Sequence, residues 1–114
     1  MLNYNLLKGV LKTLVLNIIE DYGPIHGYEI KAEIERRTEN NFNITEGALY
    51  PTLKKLMQEE LIEQSQESSS GGRIKKLYRL TDKGSKALDS LNIESLEFAA
   101  LLIRFVESKP SLVL

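Results

Sequence analysis

Three features of this sequence predict a mainly α fold with one small two-stranded sheet. Apolar residues recur at helical spacing in three successive segments before residue 61. Two alternating segments then flank a Ser/Gly turn, and a further helical pattern runs from Asp82 to about Ser108. Three helices, a hairpin and a terminal helix is the order of a winged helix-turn-helix carrying an additional C-terminal helix.

The first helix, residues 6–21, carries Leu7, Val10, Leu11, Leu14, Val15, Ile18 and Ile19 on a wide apolar face. Gly23-Pro24 ends it, since neither residue continues a helix easily. The second helix is expected from Gly27 to Thr38, with Tyr28, Ile30 and Ile34 pointing inward and Asn40-Asn41 as its stop. Phe42-Asn43-Ile44 alternates and suggests a very short strand. Thr45 is placed as an N-cap, and Glu46 suits the positive end of the helix dipole. The third helix then reaches about Glu60 on Leu49, Leu53, Leu56 and Met57. Pro51 lies inside it and should kink it or loosen its first turn, because proline removes a backbone bond and crowds the carbonyl four residues earlier.

Leu61–Glu67 and Ile74–Leu80 alternate around Ser68-Ser69-Ser70-Gly71-Gly72 and read as a β-hairpin. Thr81 is a second N-cap. An unbroken helix from there to Ser108 would be about 40 Å long, against a radius of gyration of about 13 Å for a chain of this size. It would overhang its own core, or break near Ser90 or Asn92. The organisation expected is a winged-helix domain at residues 1–80 and a helical dimerisation segment at 81–114.

Composition excludes several chemistries. The 114 residues hold one His and no Cys or Trp, which removes disulfides, thiolate metal sites and Cys nucleophiles. No nucleophile–base pair, phosphate-cradling glycine loop or metal cluster is visible, so no catalytic residue, metal or cofactor is assigned and an enzyme is not expected. The longest apolar runs are too short to span a bilayer, no signal peptide is evident, and a cytoplasmic protein is expected.

Fifteen basic residues against sixteen acidic ones leave a net charge of −1, but nucleic-acid binding needs only a local basic surface. Arg73, Lys75, Lys76 and Arg79 fall between Ser70 and Leu80 with no acid among them. Gly71 and Gly72 would let this loop approach a DNA backbone, where the cations neutralise phosphates. The plainer alternative is a solvated hairpin whose lysines discourage edge pairing. Following three helices, the phosphate reading is the better one. The third helix would then enter the major groove, presenting Ala48, Tyr50, Thr52, Lys54 and Lys55, with Glu46 kept out. His26 and Tyr28 open the second helix, where backbone N–H groups could meet a phosphate. For His26 alone, packing or capping is the plainer role.

These segments resemble the PadR-like transcriptional regulators. The resemblance lies in Leu7-Lys8-Gly9-Val10-Leu11-Lys12, Gly23-Pro24-Ile25-His26-Gly27-Tyr28-Glu29-Ile30, Gly47-Ala48-Leu49-Tyr50-Pro51-Thr52-Leu53-Lys54-Lys55-Leu56, and Gly71 through Gly84. It implies a bacterial winged-helix repressor on a palindromic operator, dimeric through the terminal helix with help from the first. It also implies the short branch of the family, with a single terminal helix. Some members of that branch bind planar aromatic drugs between subunits, and others answer to phenolic acids. Two departures stand out. Glu60 occupies a position where the family usually has Gly, at a cost on the order of 1 kcal/mol if the backbone there is left-handed. The terminal helix also lacks Trp, with Phe98 and Phe105 its aromatic substitutes, so a small aromatic effector is left unassigned.

For the homodimer interface the sequence offers Leu7, Leu11, Leu88, Leu91, Leu96, Phe98, Leu102 and Phe105, the alternative being that the terminal helix folds back on the first within one subunit. A winged-helix protein-interaction module without DNA binding is the alternative function, because fold alone does not fix function.

Overall fold

The structure is a computed structural model that describes residues 4–68, 71–72, 74–108 and 110. Its elements are α1 (Tyr4–Tyr22), β1 (Ile25–His26), α2 (Gly27–Arg37), α3 (Glu46–Gln58), β2 (Ile62–Ser68), β3 (Ile74–Leu80) and α4 (Asp82–Glu107). The winged-helix order expected from the sequence is present, and the fold is mainly helical.

One core unites the helices and the sheet. Val15, Leu16 and Ile19 of α1, Ile30 and Ile34 of α2, Leu49, Leu53 and Leu56 of α3, and Leu88 of α4 are almost fully buried together. Each such side chain contributes roughly 1.5–3 kcal/mol by leaving water.

The sheet has three strands rather than two, in the order β1-β3-β2, all antiparallel. The added strand is only Ile25–His26, paired with Tyr78 and Leu77. Two residues cannot display alternation; their pairing partner lies some fifty positions away. Phe42-Asn43-Ile44 is not a strand; its Ile44 is buried in the core instead.

The helix ends follow local chemistry. Thr45 accepts a hydrogen bond from the Ala48 N–H (3.1 Å), and Thr81 accepts one from the Gly84 N–H (2.9 Å), so both N-caps are present. The α3 helix runs unbroken through Pro51. It closes with Glu60 N–H donating to Met57 O (3.0 Å) and Leu61 N–H to Leu56 O (3.0 Å). That pair of bonds requires a left-handed residue, and Glu60 has φ 62°. The same device ends α2, where Glu39 has φ 50°.

No break occurs near Ser90 or Asn92; α4 is one continuous helix of 26 residues. Its start is locked to the end of α3. Thr81 N–H donates to Leu61 O (3.1 Å) and Thr81 Oγ1 to Glu60 O (2.7 Å). Gly84 lies so close that an added Cβ would fall 1.9 Å from Leu61 O. Beyond Ser95 every described residue of α4 is exposed. The radius of gyration is accordingly 17.2 Å and the long axis 72 Å, well above a compact chain's value.

Candidate nucleic-acid interface

Three elements meet at one recess of about 270 Å³, lined by His26, Gly27, Tyr28, Tyr50, Ile74, Lys75, Lys76 and Tyr78. The start of α2, the first half of α3 and strand β3 thus share one side of the molecule. Eight of the sequence-assigned DNA contacts (His26, Tyr28, Tyr50, Lys75 and Lys76 here, with Lys54 and Lys55 exposed further along α3 and Gly72 exposed in the wing) are solvent-facing or border this recess.

His26 begins the site. Its backbone N–H donates to Glu29 Oε1 (3.3 Å), and its ring Nδ1–H donates to the Lys76 carbonyl oxygen (3.3 Å). The imidazole stacks on Tyr28, with centroids 5.4 Å apart and planes 6° from parallel. The capping and packing role weighed for His26 is therefore present, and it ties α2 to the wing. Tyr28 is 59% exposed. This corrects its inward assignment: the ring covers His26 on the surface and leaves the core to Ile30 and Ile34.

Tyr50 is half-exposed, and its ring lies over Gly27. A Cβ on Gly27 would sit 2.9 Å from the Tyr50 hydroxyl oxygen and 3.1–3.2 Å from ring carbons. Gly27 is therefore the seat of Tyr50, a role that the sequence reading missed. Beneath them Tyr78 accepts a hydrogen bond from Gln64 Nε2 (3.3 Å). Burial pushes its phenol up, against the lowering effect of that bond, so the ring stays neutral at the floor of the recess.

Along α3, Lys54 and Lys55 are exposed, whereas Ala48 packs partly against the core. The Thr52 hydroxyl donates back to Ala48 O (2.9 Å), which reduces its freedom to donate to a base. Gly72 is exposed with φ 76°, a left-handed turn position that suits glycine. Arg73, also assigned to the interface, lies outside the described residues.

The basic wing is smaller than its sequence suggests. Arg79 Nε donates to Glu63 Oε1 at 2.6 Å across the hairpin, so this cation is already paired. The register also sets Glu67 opposite Lys75 and Gln66 opposite Lys76. Positive charge at the recess therefore rests chiefly on Lys76. Elsewhere on α2, Arg36 donates to Glu33 Oε2 (2.7 Å), holding that carboxyl below its ordinary range, and Arg37 pairs with Asp21. Among the described residues no group of three His, Asp or Glu could hold a metal ion, and no helix is long and apolar enough to cross a membrane.

The residues assigned to a dimer interface divide into two sets. Leu7, Leu11 and Leu88 are buried within the single chain, and Leu91 is partly covered by the same core. Leu7, Leu11 and Leu88 are thus core positions of the single chain, because α4 packs back on α1 over its first half, while Leu91 keeps part of its surface. Leu96, Phe98, Leu102 and Phe105 are exposed, joined by Leu101, Ile103 and Val106.

The model of the Transcriptional regulator PadR-like family matches residues 15–90. The chain belongs to this family. PadR-like proteins are transcriptional regulators. An uncharacterized protein of Lysinibacillus sphaericus is 34% identical over 94% of this chain and 97% of its own length. The transcriptional regulator YqjI of Escherichia coli is 36% identical over 78% of this chain, which spans only 40% of that protein. Among solved structures, a PadR-like transcriptional regulator from Bacillus cereus aligns with TM-score 0.75 and 28% identity, covering 92% of this chain and 99% of the other. PadR of Bacillus subtilis, solved in complex with operator DNA, aligns with TM-score 0.67 and 30% identity over 74% of this chain and 46% of its own.

Proposed function

We propose that this PadR-like protein is a homodimeric repressor that binds a palindromic DNA operator. In this reading residues 1–80 bind DNA and residues 81–114 pair two copies. The observation that carries it is the recess where Tyr28, Tyr50, Lys75 and Lys76 meet beside the exposed side of α3. A phosphate seated there meets Lys76, which shares a strand face with Tyr78, and two tyrosines able to donate a hydroxyl, while Lys75 on the opposite strand face extends the basic wing. Tyr50 and Lys54 then stand at the major groove, and Lys55 extends the basic face. The operator complex of the B. subtilis relative supports a DNA partner.

The exposed stripe from Leu96 to Val106 supports the dimer. An apolar run of this extent on an overhanging helix matches a second copy of the same stripe under two-fold symmetry. The two α3 helices would then address half-sites about 34–36 Å apart.

Fluorescence anisotropy with the palindromic segment upstream of the protein's own gene, at several salt concentrations, tests the reading. Tight binding with a steep salt dependence is expected. Absence of binding at low salt, with stoichiometric capture of a protein partner, would replace it with the interaction-module function.

A further inference from the structure

Asn17 and Asn92 face each other, half-buried, between α1 and α4. Asn17 Nδ2 donates to Asn92 Oδ1, and Asn92 Nδ2 donates back to Asn17 Oδ1, both at 2.9 Å. Asn17 Nδ2 also donates to Thr13 O at 2.7 Å, so both of its amide protons are engaged. One helical turn before the two residues stand Leu14 and Leu88, which belong to or pack on the core, while Thr13, Glu20, Asp89 and Ser95 also flank them on the same helix faces.

Apolar contacts tolerate sliding and rotation, whereas a reciprocal amide pair is satisfied in one geometry only. Set at the margin of the apolar core, such a pair selects one register at some cost in stability, much as a single buried Asn does in a coiled coil. The place of the pair gives this selection leverage. Asn92 is close to the last point where α4 touches its own core; beyond Ser95 the helix stands free. The twelve residues from Leu96 to Glu107 form an arm about 18 Å long, and a tilt of about 10° at its root moves its tip by about 3 Å. One base pair advances a duplex by about 3.4 Å and turns it by about 35°.

We infer that Asn17 and Asn92 are positioning residues that fix the angle of α4 against the winged-helix core and so set the half-site spacing the dimer accepts. The inference rests on the dimeric DNA-binding function proposed above. An all-leucine contact at this point would pack as well but let the arm swing, and the dimer would then accept operators of several spacings.

The full-length protein and its Asn17→Leu/Asn92→Leu variant are compared on the tightest duplex that the unmodified protein selects from a random pool. Derivatives with one base pair added or removed between half-sites complete the set. The unmodified protein should lose about tenfold or more on the altered spacings, and the variant no more than about threefold. A variant that keeps the full discrimination overturns the inference. Should it fail to fold, Asn17→Ala/Asn92→Ala takes its place.

A second measurement does not depend on DNA. The chain has no native Cys, so spin labels at Ala32→Cys and Arg104→Cys, diluted with unlabelled chain, report the core-to-arm distance. The distribution should be narrow with the Asn pair and broad without it; equal widths overturn the inference. If the unmodified protein selects no duplex, the DNA function fails, and the spin-label widths still decide what the pair does.

Discussion

The winged-helix core and the outer half of α4 are built from the same kinds of side chain and treat them in opposite ways. In the core, Leu16, Ile30, Leu49 and Leu53 are covered completely by other parts of the same chain. In the outer half of α4, Leu96 is 73% exposed and Phe105 79%. Helical periodicity is clear in both regions, yet periodicity shows only that a face is apolar. What covers that face depends on where the helix goes. The core is complete within one chain; the apolar side chains of the arm are left uncovered by it.

The largest effect should come from putting charge on the arm. Leu102→Glu with Phe105→Glu is expected to weaken self-association about 1,000-fold, equivalent to about 4 kcal/mol, since two carboxylates on each subunit would have to leave water. Sedimentation velocity reads this directly. Far-UV circular dichroism should meanwhile show the helices intact; a variant that stays dimeric would place the partner surface elsewhere.

A change at the junction of the two regions should reach the core. In Gly84→Ala the new Cβ meets the Leu61 carbonyl oxygen, backbone that cannot step aside as a side chain would. A loss of about 3 kcal/mol is expected in urea unfolding. A loss below about 0.5 kcal/mol would mean that α4 shifts freely on the core.

Neither region's stability should respond to the wing lysines. Lys75→Ala/Lys76→Ala should weaken binding on all DNA sequences alike and reduce the slope of log affinity against log salt by about 4, two lysines being lost from each subunit of the dimer. An unchanged slope would remove the recess from the phosphate contact.

Much of this was legible in the sequence. The three helices of the core, the hairpin and the caps Thr45 and Thr81 depend on contacts within a few residues. What sequence reasoning missed depends on distant partners. Strand β1 exists because Ile25 meets Tyr78. The polar residues around Asn92 suggested a break, but Asn92 is polar because Asn17 lies opposite, with the helix continuous past it. Arg79 counted towards the basic wing until Glu63 was found beside it. At the site, the basic and aromatic residues were identifiable by type. The role of Gly27 was not, because only the folded chain brings the Tyr50 ring over it.

Two smaller effects sharpen the boundary between stability and binding. Gly27→Ala should displace Tyr50 and reduce DNA affinity about fivefold, with stability changed by less than about 1 kcal/mol. Glu60→Gly should do the reverse: a gain of about 0.5–1 kcal/mol as the left-handed strain at φ 62° is relieved, with DNA affinity unchanged. Chemical denaturation paired with anisotropy separates the two; a Glu60→Gly loss of stability would show that the Lys83 ion pair at 4.0 Å outweighs the backbone term.

The overhang also bears on synthesis. Most of the core, from α1 through β3, precedes Leu96 in the chain, so these elements leave the ribosome ahead of the adhesive stripe. Placed at the start, that stripe would emerge on an otherwise unfolded chain, free to stick to neighbouring nascent polypeptides.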